Sequence, residues 1–126
     1  MDRAFRSNEH IRRRAEFVEI YDRGRKVSGR LMTVFTRPTD RPCPRLGIAA
    51  TRKLGGAVRR NLAKRLIREV FRQNKPSGGL DVVVVPRREL LDAPYVRLEA
   101  EFRALLDGRA ASGPRRPSRP RPHPSV

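Results

Sequence analysis

The chain has 126 residues, the length of one domain with a modest hydrophobic core. Its 30 lysines and arginines outnumber 13 acids, so the formal net charge is +17 and the sequence pI is near 11.7. A balance this basic opposes compaction unless a polyanion neutralises it, and nucleic acid is the usual partner. A surface charged only for solubility would mix both signs, so that alternative is disfavoured.

The chain offers no signal for a membrane or an oxidising compartment. Its single cysteine, Cys43, is free and lies in a proline-rich loop, which suits a reducing cytoplasm. No apolar run approaches the roughly 20 residues of a membrane span, and the segment after Met1 lacks the apolar core of a signal peptide. The sequence therefore predicts a soluble cytoplasmic protein with no membrane partner.

The first 22 residues predict an amphipathic helix. Ser7 or Asn8 can cap its start, and Ile11 begins a series of apolar residues at steps of three and four. Gly24 ends the predicted element. The apolar series predicts that one broad face of this helix packs against the rest of the domain.

Three later segments predict strands. Residues 27–37 and 45–52 are rich in apolar and β-branched side chains, and a loop with three prolines separates them. Residues 80–85 form a near-continuous apolar run that ends at Pro86, the pattern of a strand buried on both faces.

A long basic helix is predicted from about Ala57 to Asn74, after a break at Gly55-Gly56. At about 100° per residue, its cations form a ladder along one side. The ladder consists of Arg60, Lys64, Arg68 and Arg72. A second series is predicted to be buried, and it consists of Val58, Leu62, Leu66 and Val70, widened by Ala63 and Ile67. Because the helix holds one acid, Glu69, the ladder is expected to need an external polyanion.

A last helix is predicted from Pro94 to Leu106. Its inward-facing residues are predicted to be Val96, Leu98, Phe102 and Leu105. The order of helix, strands, helix, strand and helix predicts an α+β sandwich in which helices pack on a sheet.

The composition changes at Gly108. Residues 108–126 hold five arginines, five prolines and no acid, so they are predicted to be a disordered tail. Residues 1–107 form the predicted domain and keep +12 of the charge. The tail either adds unspecific affinity for RNA or has no specific role.

No combination of residues predicts a catalytic or metal-binding centre. His10 and His123 have no Ser, Cys or Asp partner nearby in sequence, and Glu16 and Glu19 are interpreted as surface acids that balance adjacent arginines. No zinc-ligand spacing or phosphate-binding glycine loop is present. A stand-alone protein nuclease is therefore disfavoured.

The segment around the basic helix is the strongest candidate for binding. Residues 51–76 carry nine lysines and arginines and one acid. Each phosphate that such cations neutralise releases counterions and adds affinity, and Asn61 can supply directional hydrogen bonds. A solvated basic face and a membrane-surface helix are weaker alternatives, since the core needs the apolar side of the helix.

The same segment carries a motif of fixed spacing. It reads Gly55-x-Ala57-Val58-x-Arg60-Asn61-x-x-Lys64-Arg65-x-x-Arg68-Glu69-x-Phe71-Arg72. This motif resembles the signature of the bacterial ribonuclease P protein family. Flanking segments resemble the same family, namely Phe17-x-x-x-Tyr21-x-x-Gly24, residues 45–53 and residues 81–87. The resemblance extends from Asn8 to Leu106, although Leu62 stands where the family commonly has arginine.

The resemblance implies a fold and an activity. The fold is a small α+β two-layer sandwich of order αβββαβα, with a mainly antiparallel sheet and a left-handed crossover through the basic helix. The implied activity is that of a ribonuclease P holoenzyme, an endoribonuclease in which a partner RNA removes the 5′ leader of precursor tRNA. Magnesium is then held mainly by that RNA, and neither a protein active site nor a small-molecule substrate is expected.

The resemblance also implies two sets of contacts. Those with ribonuclease P RNA fall on the basic helix and its preceding turn, at Lys53, Arg60, Asn61, Lys64, Arg65 and Arg68, and the ladder adds Arg72. Those with the single-stranded leader fall on a cleft walled by Phe17, Tyr21, Thr33 and Phe35. Aromatic rings stack on bases with little sequence demand, but they equally suit a plain core. A ribosomal or other structural RNA-binding protein is the alternative function.

Overall fold

Three α-helices and four strands follow one another in the order αβββαβα within residues 10–11, 13–76 and 78–108, which the computed structural model describes. The helices are α1 (Arg14–Arg23), α2 (Ala57–Gln73) and α3 (Tyr95–Leu106). The strands are β1 (Arg25–Ser28), β2 (Met32–Pro38), β3 (Arg45–Ile48) and β4 (Leu80–Pro86). Short 3₁₀ turns precede α2 and α3. The predicted α+β class and element order are confirmed, whereas the predicted tail beyond Gly108 lies outside the described residues.

The four strands form one mixed sheet of order β1-β2-β4-β3. β1 pairs with β2 and β2 with β4 in antiparallel fashion, while β3 runs parallel to β4. The mainly antiparallel sheet is thus confirmed. α2 connects the two parallel strands, and the left-handed sense of this crossover stays a prediction.

One face of the sheet carries the main hydrophobic core. Because side chains alternate along a strand, Val34, Val82 and Val84 point to the face that α2 and α3 cover. Val83 points to the other face and is equally buried. The prediction that β4 is buried on both faces is therefore confirmed.

The extended segment predicted over residues 27–37 is in fact a hairpin of β1 and β2. A turn around Arg30 separates the strands, and the Glu101 carboxylate of α3 holds it. That carboxylate accepts hydrogen bonds from the backbone N–H groups of Arg30, Leu31 and Met32 at 3.2, 2.7 and 3.1 Å. An acceptor about 70 positions away leaves no trace in the local pattern, so the turn was missed.

Helix α1 begins later than predicted, at Arg14. Ile11 lies outside the helix, because its N–H donates to the Leu46 carbonyl at 2.8 Å and the preceding residue forms a parallel bridge to the same strand. The free edge of β3 thus offers backbone partners that compete with a longer helix. Gly24 ends α1 as predicted, and a Cβ there would lie 2.5 Å from the Ile20 carbonyl oxygen.

The apolar stripe predicted for α2 was wrong in its first half. Val58 is 83% exposed and Leu62 is 42% exposed. A series with a constant step of four turns about 40° around the helix at each step, so it cannot stay on one side. The residues that α2 buries instead follow steps of four, three and one: Ala63, Ile67, Val70 and Phe71.

The predicted interior of α3 is confirmed except at its start. Leu98, Phe102 and Leu105 are buried, whereas Val96 is 76% exposed. Val96 precedes Leu98 by two positions, so it lies about 200° around the helix on the opposite side.

Candidate nucleic-acid interface

The turn that introduces α2 sets the direction of the basic helix. The predicted strand over residues 45–52 stops at Ile48, and Thr51 begins a 3₁₀ turn by accepting a hydrogen bond from the Lys53 N–H at 3.3 Å. Gly55 then adopts φ +122°, a region that side chains other than glycine rarely enter. The Arg59 Nε closes the turn by donating to the Leu54 carbonyl at 2.8 Å.

The predicted RNA-contact residues share one accessible surface of α2 and this turn. Lys53, Asn61, Arg65 and Arg68 are exposed, and Arg60, Lys64 and Arg72 are half-buried. We name this surface the basic face, and its members are Lys53, Arg60, Asn61, Lys64, Arg65, Arg68 and Arg72. Its exposed members lie away from the side of α2 that is buried against the sheet, so they are accessible to a polyanion.

The charge of Arg72, the last cation of the ladder, is neutralised within α2. Arg72 donates to both oxygens of Glu69 at 2.7 and 2.6 Å, and Gln73 donates to the same carboxylate at 3.0 Å. These hydrogen bonds hold the pKa of the Glu69 carboxyl below its usual range, and the one from Arg72 contributes most. The expectation that the ladder lacks internal neutralisation is thus wrong for Arg72. Among the described residues, Lys64, Arg65 and Arg68 have no ion-pair partner.

Among the described residues, the second face of the sheet is covered by α1 and by Ile11, which precedes the helix. On this face Phe35 pairs with Val83 across the strands, and Thr33 pairs with Val85. Phe17 and Tyr21 of α1 pack on this cluster and stay half-buried. The structure therefore brings together all four predicted cleft residues, which come from α1 and β2. We name this group the aromatic cleft: Phe17, Tyr21, Thr33 and Phe35.

The rings of the aromatic cleft differ in accessibility. The Tyr21 ring meets Phe35 edge-on with centroids 4.8 Å apart, and the Phe17 ring lies tilted at 6.4 Å from Tyr21. Phe35 and Thr33 are 5% and 7% exposed, so they form the floor. Burial raises the pKa of Tyr21 above its ordinary value. Ring surface available to a base therefore belongs to Phe17 and Tyr21.

Two cations border the aromatic cleft and were missed as site residues. The Lys26 Nζ lies 5.9 Å from the centroid of the Phe35 ring, within cation–π distance. The Arg87 guanidinium donates to the Thr33 hydroxyl at 3.4 Å. Lys26 reaches this place through its pairing with Phe35 in the hairpin, and the strand predicted over residues 27–37 begins after Lys26.

A cavity of about 350 Å³ joins the aromatic cleft to the basic face. Phe17 of α1 lines it together with Ile11, Leu46 and Ile48. Lys64 and Arg68 of α2 also line it. The two predicted binding surfaces are therefore continuous, and a strand leaving the rings would meet two cations.

Helix α1 is fastened to the sheet by an ionic cluster. Arg45 binds Asp81 through two hydrogen bonds of 2.9 and 2.8 Å and Glu16 through one of 3.1 Å. Hydrogen bonding to the Asp81 carboxylate is the main cause that raises the pKa of Arg45. Glu19 pairs with Arg37 at 3.1 Å. The interpretation that both glutamates balance adjacent arginines is therefore corrected, since their partners lie on the sheet.

Within the described ranges, no three His, Cys, Asp or Glu side chains cluster closely enough to hold a metal ion. Cys43 is exposed, His10 lies in the bridge to β3, and His123 falls outside the described residues. No helix among those described is long and apolar enough to cross a membrane.

Sequence relatives place this arrangement in a known family. The family model described as Ribonuclease P matches residues 5–109. The chain is 41% identical over 100 residues to the ribonuclease P protein component of Oleidesulfovibrio alaskensis, covering 76% of this chain and 79% of the relative. It is 35% identical over 103 residues to that of Syntrophus aciditrophicus, covering 80% and 87%.

Solved structures agree with the sequence relatives. The RNase P protein from Thermotoga maritima superposes with a TM-score of 0.71 at 34% identity, covering 79% of this chain and 96% of that one. The RNase P protein of Staphylococcus aureus gives 0.70 at 32% identity, covering 79% and 93%. The chain therefore belongs to the ribonuclease P protein family.

Proposed function

We propose that the chain is the protein subunit of a cytoplasmic ribonuclease P, in which a partner RNA removes the 5′ leader from precursor tRNA. The observation that carries this proposal is the continuity of the aromatic cleft with the basic face at the cavity between Phe17 and Lys64. A protein that binds one folded RNA needs only the basic face. A protein that holds a second, single-stranded RNA beside it needs both surfaces.

The basic face is proposed to bind the catalytic RNA. Its arginines can grip phosphates through two parallel hydrogen bonds, whereas Lys53 and Lys64 act as point charges. Asn61 is exposed among these cations and can bond to a sugar or base edge. Because each neutralised phosphate releases counterions, assembly is expected to weaken steeply with salt.

The aromatic cleft is proposed to bind the leader of precursor tRNA. Phe17 and Tyr21 offer partly accessible rings on a firm floor, and stacking is worth about 1–3 kcal/mol per base with little sequence preference. Lys26 and Arg87 stand at its border, where they can meet the backbone of the strand. This surface should give a precursor a higher affinity than mature tRNA, which lacks the leader.

The chemistry is proposed to belong to the partner RNA and the magnesium ions that it holds. The protein contributes positive charge that screens repulsion between two RNAs, and it favours metal binding by keeping the substrate in place. Protein groups are assigned no catalytic step and no small-molecule substrate.

Processing at low magnesium tests the proposal. The purified protein should restore 5′ cleavage of a precursor tRNA by a bacterial ribonuclease P RNA at a magnesium concentration where the RNA alone is inactive. A matched basic protein of similar net charge serves as control for unspecific screening. Stimulation equal to that of the control would instead favour the alternative of a ribosomal or other structural RNA-binding protein.

A further inference from the structure

Helix α1 depends on few apolar contacts for its place on the sheet. Ile20 is its only fully buried residue among those described. Phe17 and Tyr21 stay half-buried on the same side. A helix held by so little burial needs other contacts to keep its rings in a defined position, and the ionic cluster of Arg45 supplies them.

Arg45 is itself held rigidly before it reaches α1. It lies directly across the parallel strands from Asp81, and the two side chains are 10% and 4% exposed. Their paired hydrogen bonds fix the plane of the guanidinium. The remaining Nη1 then projects to the Glu16 carboxylate, which is 29% exposed at the edge of the cluster.

The ring of Phe17, the residue after Glu16, packs against Gly47. Gly47 lies two residues beyond Arg45 on β3, so both residues face α1. A Cβ on Gly47 would lie 2.8 Å from Cζ of Phe17 and 3.0 Å from Cβ of Ile11. The Phe17 ring therefore rests against bare backbone, next to the cavity that Lys64 and Arg68 also line.

We propose that Glu16 is a positioning residue that, through Arg45, holds Phe17 over Gly47 where a leader base can stack. This inference rests on the proposed function of the aromatic cleft. Glu16 does not contact the leader itself. Its hydrogen bond to Arg45 fixes the first turn of α1, and this fixes the position of the Phe17 ring one residue later.

The charge of Glu16 makes this role distinguishable from that of an ordinary surface acid. A carboxylate beside the leader repels its phosphates, so removing an acid with no other role should slightly raise the affinity for precursor, and with it the preference for precursor over mature tRNA. Removing a positioning acid should instead lower the preference for precursor over mature tRNA. The two interpretations therefore predict opposite signs for the same substitution.

The test uses the holoenzyme reconstituted from full-length protein and ribonuclease P RNA. The measured quantity is the ratio of affinities for precursor and mature tRNA. Glu16→Ala should lower this ratio about fivefold or more, the loss of one stacked base. Glu16→Gln keeps an acceptor for Arg45 and should stay within about twofold of wild type. Glu89→Ala removes an exposed acid elsewhere and should not lower the ratio.

A double-mutant cycle shows whether Glu16 acts through Phe17. Adding Glu16→Ala to Phe17→Ala should cause no further loss, because the ring to be positioned is already gone. Losses that multiply, or a ratio unchanged by Glu16→Ala, would overturn the positioning role. If Phe17→Ala itself leaves the ratio unchanged, the leader cleft fails as well, and the two failures are thereby told apart.

Gly47→Ala provides a second route if Glu16→Ala does not fold. Its methyl group crowds the Phe17 ring and the Ile11 side chain, and none of its three nearest contacts belongs to the ionic cluster. Circular dichroism and thermal melting establish folding. We expect the same lowered ratio with unchanged affinity for the catalytic RNA. Full retention of the ratio by a folded Gly47→Ala protein would contradict the requirement for a fixed ring.

Discussion

The two faces of the sheet are built for different tasks. One face is sealed by α2 and α3 around side chains such as Phe71 and Phe102, which have no exposure at all. Among the described residues, the other is covered by α1 and Ile11, and its rings at Phe17 and Tyr21 remain partly exposed. Sealing a face maximises apolar burial and stability. Covering a face in part leaves apolar surface for a partner.

The sealed face also serves recognition, but indirectly. By burying Ala63, Ile67 and Val70, it fixes the rotation of α2 and so turns the basic face outward. The partly covered face supplies its own binding surface. Substitutions on the two faces should therefore separate stability from recognition.

The largest effect is expected where α2 meets the sealed face. Ile67→Ala should destabilise the protein by about 2–5 kcal/mol, because it removes buried methyl groups and leaves a cavity. Leu62→Ala, a matched truncation on the same helix, should cost less than about 1 kcal/mol, since Leu62 is 42% exposed. Urea unfolding followed by circular dichroism measures both.

Equal losses for these two variants would mean that the N-terminal half of α2 is buried as the strict four-residue series predicts. The unfolding slope should stay constant in both proteins, so that a change in midpoint reports stability.

A smaller effect should separate the two binding surfaces. Arg65→Ala should weaken assembly with ribonuclease P RNA and reduce the slope of log affinity against log salt by about one. Phe17→Ala should leave that slope unchanged and lower the preference for precursor over mature tRNA by about 1–3 kcal/mol. Salt-dependent binding measurements with each RNA distinguish the two.

The control for this pair is Arg103→Ala, which removes an exposed arginine from α3, away from the basic face. A loss of precursor preference in Arg65→Ala as large as that in Phe17→Ala would show that the basic face and the aromatic cleft do not bind different RNAs.

The smallest effect concerns the ionisation of Tyr21. Burial raises its pKa above the ordinary value of 10.0. The neutral phenol therefore contributes stability that is fully present below about pH 10 and is lost as the pH rises through the higher pKa of the folded protein. A Tyr95→Phe variant leaves Tyr21 as the sole tyrosine. Its pH titration, followed by tyrosinate absorbance, should have a higher midpoint in the folded protein than in the protein unfolded in urea.

Identical midpoints in the folded and unfolded states would contradict the burial of Tyr21. A leader oligonucleotide bound to the cleft should move the folded midpoint further upward, because it excludes more water from the ring. An oligonucleotide of the same composition in duplex form controls for unspecific binding.

Residue patterns were sufficient where one element interacts with the sheet through its own periodicity. The burial of β4 and the interior positions Leu98, Phe102 and Leu105 follow from alternation and from helical spacing. The cation ladder was predicted with the same constant step of four that misplaced the apolar stripe, and its first residue, Arg60, is half-buried whereas Arg68 is exposed. The aromatic cleft was identified only through the family motif, since an apolar pattern alone would assign Phe17 and Tyr21 to a core.

The sequence by itself determined the α+β class, the basic character of α2 and the family. The tertiary structure alone decided the turn at Arg30, the late start of α1 and the partners of Glu16. In each case the deciding group lies far along the chain: Glu101 for the turn, Leu46 for α1 and Arg45 for Glu16. Hydrogen bonds between residues far apart in sequence leave no periodic signature, so no local pattern could have predicted them.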